Sequence, residues 1–148
     1  MDVSTLTPSS EIKGDSEEDT NLLRQMFQKA EAFLKSFAWC SDVKDSYFGL
    51  GAGGVVAVFL FHIAPAHDGV DDWLWVVVGD LPPAYLVTDE SPSAVSALRA
   101  YIREMRQWTN AARLGRSVDG LIPVDAEPTL ENAERLSKRL DFLGSIQF

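Results

Sequence analysis

His62, His67, Asp68, Asp71 and Asp72 crowd into residues 62–72 of this 148-residue chain. Histidine beside carboxylate is the pairing that holds divalent metals or moves protons at neutral pH. The spacing does not develop into either chemistry. There is no H-E-x-x-H, and there is no second cysteine to join Cys40 as a ligand. His62 sits inside an apolar run, whereas His67 and the aspartates belong to the polar stretch that follows it. The ordinary roles of these residues, one packed histidine and one solvated loop, therefore come first. No metal or cofactor is expected. The other reading is an enzyme or small-ligand protein using His62 or His67 with a neighbouring carboxylate in a cleft.

Gly49, Gly51 and Gly54 satisfy G-x-G-x-x-G, with Asp71 and Asp72 at about the distance of a ribose-binding carboxylate. A dinucleotide site needs a strand before the glycines and a helix after them. Here the β-branched run 55–63 follows, so the glycines read as a bulged entry to a buried strand. No serine stands in a G-x-S-x-G elbow, and Cys40 beside Trp39 reads as a buried, inert thiol.

Charge says more. The chain carries a net −9, and residues 45–98 contain no lysine or arginine while holding Asp45, Asp68, Asp71, Asp72, Asp80, Asp89 and Glu90. Such a balance opposes binding to a nucleic-acid backbone or to an anionic membrane, and it suits a basic protein partner. Asp80, Asp89 and Glu90 equally suit turn and pre-helix positions. Arg99, Arg103, Arg106 and Arg113 form a basic stripe on one helix, which reads first as a solvated face. Asp68, Asp71, Asp72 and Asp80, with Trp73 or Tyr85 as an aromatic anchor, make up the expected partner-binding set.

The elements that position these residues follow from hydrophobic period. Residues 1–16 read as a flexible acidic tail, and one domain is expected over 17–148. Ser16 caps a helix over 17–40, with Leu23, Met26, Phe27, Ala30, Leu34 and Phe37 as its apolar stripe. A polar break at 41–46 precedes strands over 55–63 and 73–78, which a short turn-rich link should pair antiparallel. Gly79-Asp80 and Pro82-Pro83 break the second strand, and a third is expected over 84–88. Ser91-Pro92 opens a second helix, and Gly115 ends it. A loop with a short edge strand around 120–124 leads to a last helix capped by Thr129. The expected fold is α+β: an N-terminal helix, a three-stranded antiparallel meander, then two helices packed on the sheet.

The uncharged run 46–66 is long enough to span a bilayer, but its glycines, His62 and Pro65 favour a buried strand. With no signal or transit pattern at the N-terminus, cytoplasmic residence is expected. The function expected from these features is a small acidic protein-binding module, of the inhibitor or immunity type, that covers a basic partner with carboxylate-rich loops. A homodimer burying the aromatic sheet face or an exposed strand edge is the remaining alternative.

Overall fold

Alternation in two consecutive valine-rich strands organises the chain. In the computed structural model, which describes residues 1–148, β3 (Val56–Pro65) and β4 (Trp73–Gly79) pair antiparallel with Leu60 opposite Trp75 and His62 opposite Trp73. Ala57, Phe59, Phe61 and Ile63, with Leu74, Val76 and Val78, face one side; Val56, Val58, Leu60, Trp75 and Val77 face the other. All are buried, so these runs are near-continuously apolar rather than alternating with polar residues.

Each face has its own helical cover. Helix α1 (Glu17–Lys35) lays Leu23, Met26, Ala30 and Leu34 on the first face. Helix α2 (Ala94–Arg113) lays Ala97, Leu98, Tyr101, Met105 and Trp108 on the second. Helix α3 (Leu130–Ser145) packs chiefly against α2, through Ala133, Leu136, Leu140 and Leu143. The molecule is α+β, but in three layers, and the second and third helices do not share the sheet equally. No helix is long and apolar enough to cross a membrane.

The sheet has five antiparallel strands in chain order, not three. The stretch 41–46, expected as a break, is the first half of β2 (Cys40–Ala52), which pairs with β3 from Cys40–Pro65 to Ala52–Val56. Its polarity is that of a strand near the sheet margin. β1 (Thr7–Pro8) covers only Tyr47 and Phe48 of it. The acidic segment 1–16 contributes more than this strand. Ile12 is 1% exposed in the α1-side core, and the Ser9 and Ser46 hydroxyls lie 2.6 Å apart. One carboxylate, Asp19, accepts from the backbone N–H of Asp15 (2.9 Å) and of Gly53 (2.7 Å), tying this segment and the β2–β3 turn to the start of α1.

Other boundaries shift for local reasons. Helix α1 ends at Lys35 rather than 40, so Phe37 and Trp39 leave the helix before the chain enters β2. β5 (Leu81–Val87) begins at 81 rather than 84, so the prolines expected to separate it from the second strand lie within it. Pro82 and Pro83 are tolerated because they fall at the register shift between the Val77–Ala84 and Gly79–Leu81 pairs, where the ladder is interrupted, on a strand with no neighbour on its outer side. The cap of α2 is Ser93, in a reciprocal box with Ser96, rather than Ser91. Ser91 is buried, and its carbonyl accepts from Trp75 Nε1 at 2.7 Å. Residues 120–124 form loop, not strand.

The glycines of the G-x-G-x-x-G stretch serve packing. At the bulge between Phe48 and Leu50, a Cβ on Gly49 would stand 2.7 Å from Ala94 Cβ and 3.2 Å from the Trp75 ring. Gly49 therefore lets the start of α2 approach β2. Gly79, at φ +154°, ends β4 with its Cα against the Val55 carbonyl, where a Cβ would collide with backbone. Gly79→Ala should cost about 3 kcal/mol or more. Gly69→Ala, at φ +91° in open space, should cost only about 1 kcal/mol. Urea midpoints of the two variants check the difference; equal midpoints would remove the steric role given to Gly79.

Candidate functional site

Where β3 and β4 join, the second sheet face loses its helical cover. Trp75 is sealed by the chain entering α2, through its bond to Ser91, but Trp73 two residues earlier is only half-buried. The two tryptophans share a face, as alternation requires, yet they do not share burial. Trp73 stacks on His62 with ring centroids 4.2 Å apart and planes 2° from parallel. Tyr47 of β2 lies 6.4 Å from Trp73 on the same margin, tilted by 27°.

His62 is bracketed by carboxylates. Its Nδ1 is 3.2 Å from Asp45 Oδ2, and its Nε2 is 3.7 Å from Asp72 Oδ2. Cross-strand pairing accounts for the first contact, because Asp45 is the β2 partner of His62. Both aspartates remain more than half exposed. Beyond them the hairpin loop carries exposed His67, Asp68 and Asp71, with His67 Nδ1 3.0 Å from the Asp68 carbonyl oxygen. No ion pair joins an arginine or lysine to any of these groups, and no cluster of three histidine, cysteine or carboxylate groups is arranged to hold a metal. The arrangement is an open, anionic, aromatic margin. It presents charge and a flat indole without enclosing a reacting group.

The expected partner-binding residues do not converge. Asp68, Asp71, Asp72 and Trp73 share the hairpin end. Asp80 lies past the far end of β4, about 20 Å of strand away, and there it accepts from Arg139 Nε of α3 at 3.3 Å. Tyr85 is on β5, on the opposite face of the sheet, packed edge-on against Phe37 and Trp39 at centroid distances of 5.4 and 5.1 Å. Thus Asp80 is already partnered, and Tyr85 belongs to another surface. Asp45 and Tyr47, by contrast, join the hairpin group although the sequence placed them in or just after a break. A bulge between Val43 and Asp45 breaks the period-2 pattern here, setting Val43 with Phe48 on the α1 face and Tyr47 on the other, so simple alternation does not reveal the strand.

The remaining candidates have structural settings. Arg106 of the basic stripe bridges α2 to α3 through Asp141 at 3.1 Å, while Arg99, Arg103 and Arg113 are exposed. Cys40 is 7% exposed, and burial pushes its thiol pKa up despite the nearby positive charge of Lys35. A raised pKa keeps the less reactive thiol form at neutral pH.

Two outcomes follow from these settings. Cys40 in the folded chain should react with iodoacetamide at pH 8 at least about tenfold more slowly than in urea, as followed by mass spectrometry; equal rates would mean the thiol is accessible. Because Asp68 and Asp71 have no cationic partner, Asp68→Asn with Asp71→Asn should leave stability unchanged or raise it by about 0.5 kcal/mol at low salt. Chemical denaturation at low and high ionic strength tests this, and a clear loss of stability would give the two carboxylates a structural role.

The chain matches no family model, and no curated protein or solved structure is significantly similar to it.

Proposed function

We propose that this protein is a binding module that docks a basic protein partner on the hairpin end of its sheet. The observation that carries this reading is local: at the hairpin end four carboxylates gather beside a half-buried indole with no lysine or arginine in ion-pair reach. Asp80, Asp141, Glu131 and Glu31 each have an arginine or lysine within ion-pair distance. Asp45, Asp68, Asp71 and Asp72 have none; Asp45 and Asp72 instead flank the His62 ring. Four unneutralised carboxylates around a half-buried indole form a surface whose charge is left for something outside the chain. A half-buried aromatic surrounded by charge is also the composition of an interface anchor.

Electrostatics sets the kinetic character of such a complex. Unscreened like charges steer an oppositely charged partner into encounter, and salt removes the steering over a Debye length of about 8–10 Å. An inhibitor that shields a basic catalytic or nucleic-acid-binding surface would use this arrangement, with the carboxylates occupying the places of phosphates.

The immobilised chain should retain a basic protein from a lysate of its own cells at low salt and release it at high salt. Asp68→Asn, Asp71→Asn and Asp72→Asn together should slow association with that protein about tenfold at low ionic strength, with little change at high salt. Surface plasmon resonance across a salt series measures both. A partner that associates with the triple variant at the wild-type rate would sink the assignment to the hairpin.

A further inference from the structure

A second surface stands apart from the hairpin. β5 closes one side of the sheet, and beyond it runs a groove of about 710 Å³. Pro83, Ala84 and Tyr85 of β5 form part of its lining. Phe33 and Phe37, from the end of α1 and just past it, line it on one side; Ile122 and Val124, from the loop between α2 and α3, line it on the other. The aromatic groups are already ordered against one another: Phe37 packs edge-on to Phe33 and to Tyr85 at 5.2 and 5.4 Å.

The strand edge in this groove is unfilled. Alternate residues of an edge strand turn both N–H and C=O away from the sheet. No loop or cap hydrogen bond reaches the backbone of Pro83 through Val87, and the only side-chain bond to β5 is that of Tyr101 Oη to the Pro82 carbonyl, 2.6 Å. The neighbouring loop turns its backbone inward, with Leu121 N–H donating to Val118 and Ala126 N–H to Val124. It gives the groove apolar walls and leaves the strand unpaired. The charged groups lining the groove are Glu104 and Asp125, with no lysine or arginine.

We propose that this groove receives an extended segment of a partner protein, carrying lysine or arginine among alternating apolar side chains, as an added strand beside β5. Main-chain pairing satisfies the open edge, alternate apolar side chains enter between the walls, and the basic residues meet Glu104 and Asp125. A volume of 710 Å³ accommodates a few extended residues at about 3.3 Å each. A second copy of this chain is a poor occupant. Pairing β5 with β5 would bring two sets of Glu104 and Asp125 together, between molecules of net charge −9.

The test is to pan a random dodecapeptide phage library against the full-length chain. Enriched peptides should alternate apolar residues with lysine or arginine, and Glu104→Lys with Asp125→Lys should turn the enrichment towards aspartate and glutamate. A folding defect cannot produce that reversal. A synthetic peptide of the enriched sequence should lose at least about tenfold in affinity when alternate backbone nitrogens are methylated. It should bind the Asp68→Asn, Asp71→Asn, Asp72→Asn variant unchanged, which separates this site from the hairpin. The proposal is overturned by enrichment without basic residues, by indifference to charge reversal or N-methylation, or by no enrichment at all. It is likewise overturned if light scattering shows a dimer that Tyr85→Arg dissociates, because the groove's occupant would then be a second copy.

Discussion

Burial of β3 and β4 on both faces is the constraint from which the rest of the molecule follows. Strands with apolar side chains on both faces are incompatible with water on either side, so the chain must supply helices to each. It does so with α1 before β2 and α2 after β5. The same demand explains why Gly49 stands where α2 comes close to β2, and why the aromatic core divides into two clusters rather than one. A sheet sealed on both faces has only its ends and edges left for recognition. Both the anionic hairpin end and the groove along β5 lie there.

How much of this was legible depends on what each signal measures. Helical period resolved all three helices, because Leu23, Met26, Ala30 and Leu34, or Ala133, Leu136, Leu140 and Leu143, recur at spacings that no strand reproduces, and the caps of the first and last, Ser16 and Thr129, stood where expected. The central strands were equally plain. β2 was missed because its first half presents serine, aspartate and lysine near the sheet margin, where solvent rather than a core dictates residue type. The prolines of β5 were weighed as breakers because a sequence does not say which strand is at an edge. Both errors concern a strand's place in the sheet, which only pairing reveals.

The site was legible in part for the same reason. Asp68, Asp71, Asp72 and Trp73 are neighbours along the chain, so proximity in sequence carried over into space. Asp45 and Tyr47 reach them only through the pairing of β2 with β3, and Asp80 and Tyr85 are carried away by the length of β4 and by alternation on β5. Net acidity was visible at once, but its division between neutralised and free carboxylates required the positions of Arg106, Arg135 and Arg139.

The Tyr101 phenol has a consequence for how β5 behaves. It is fully buried in α2, donates to the Pro82 carbonyl, and burial raises its pKa far above the ordinary tyrosine range. Burial therefore favours the protonated phenol that donates this bond. A strand at the margin of a sheet is normally the first to fray. Here one end of it is clipped to the helix behind it, and the proline rings hold two of its φ angles near a single value. Fewer backbone conformations of this strand are then left for an incoming chain to remove, so the clip and the two prolines lower in advance the ordering cost of binding at this margin.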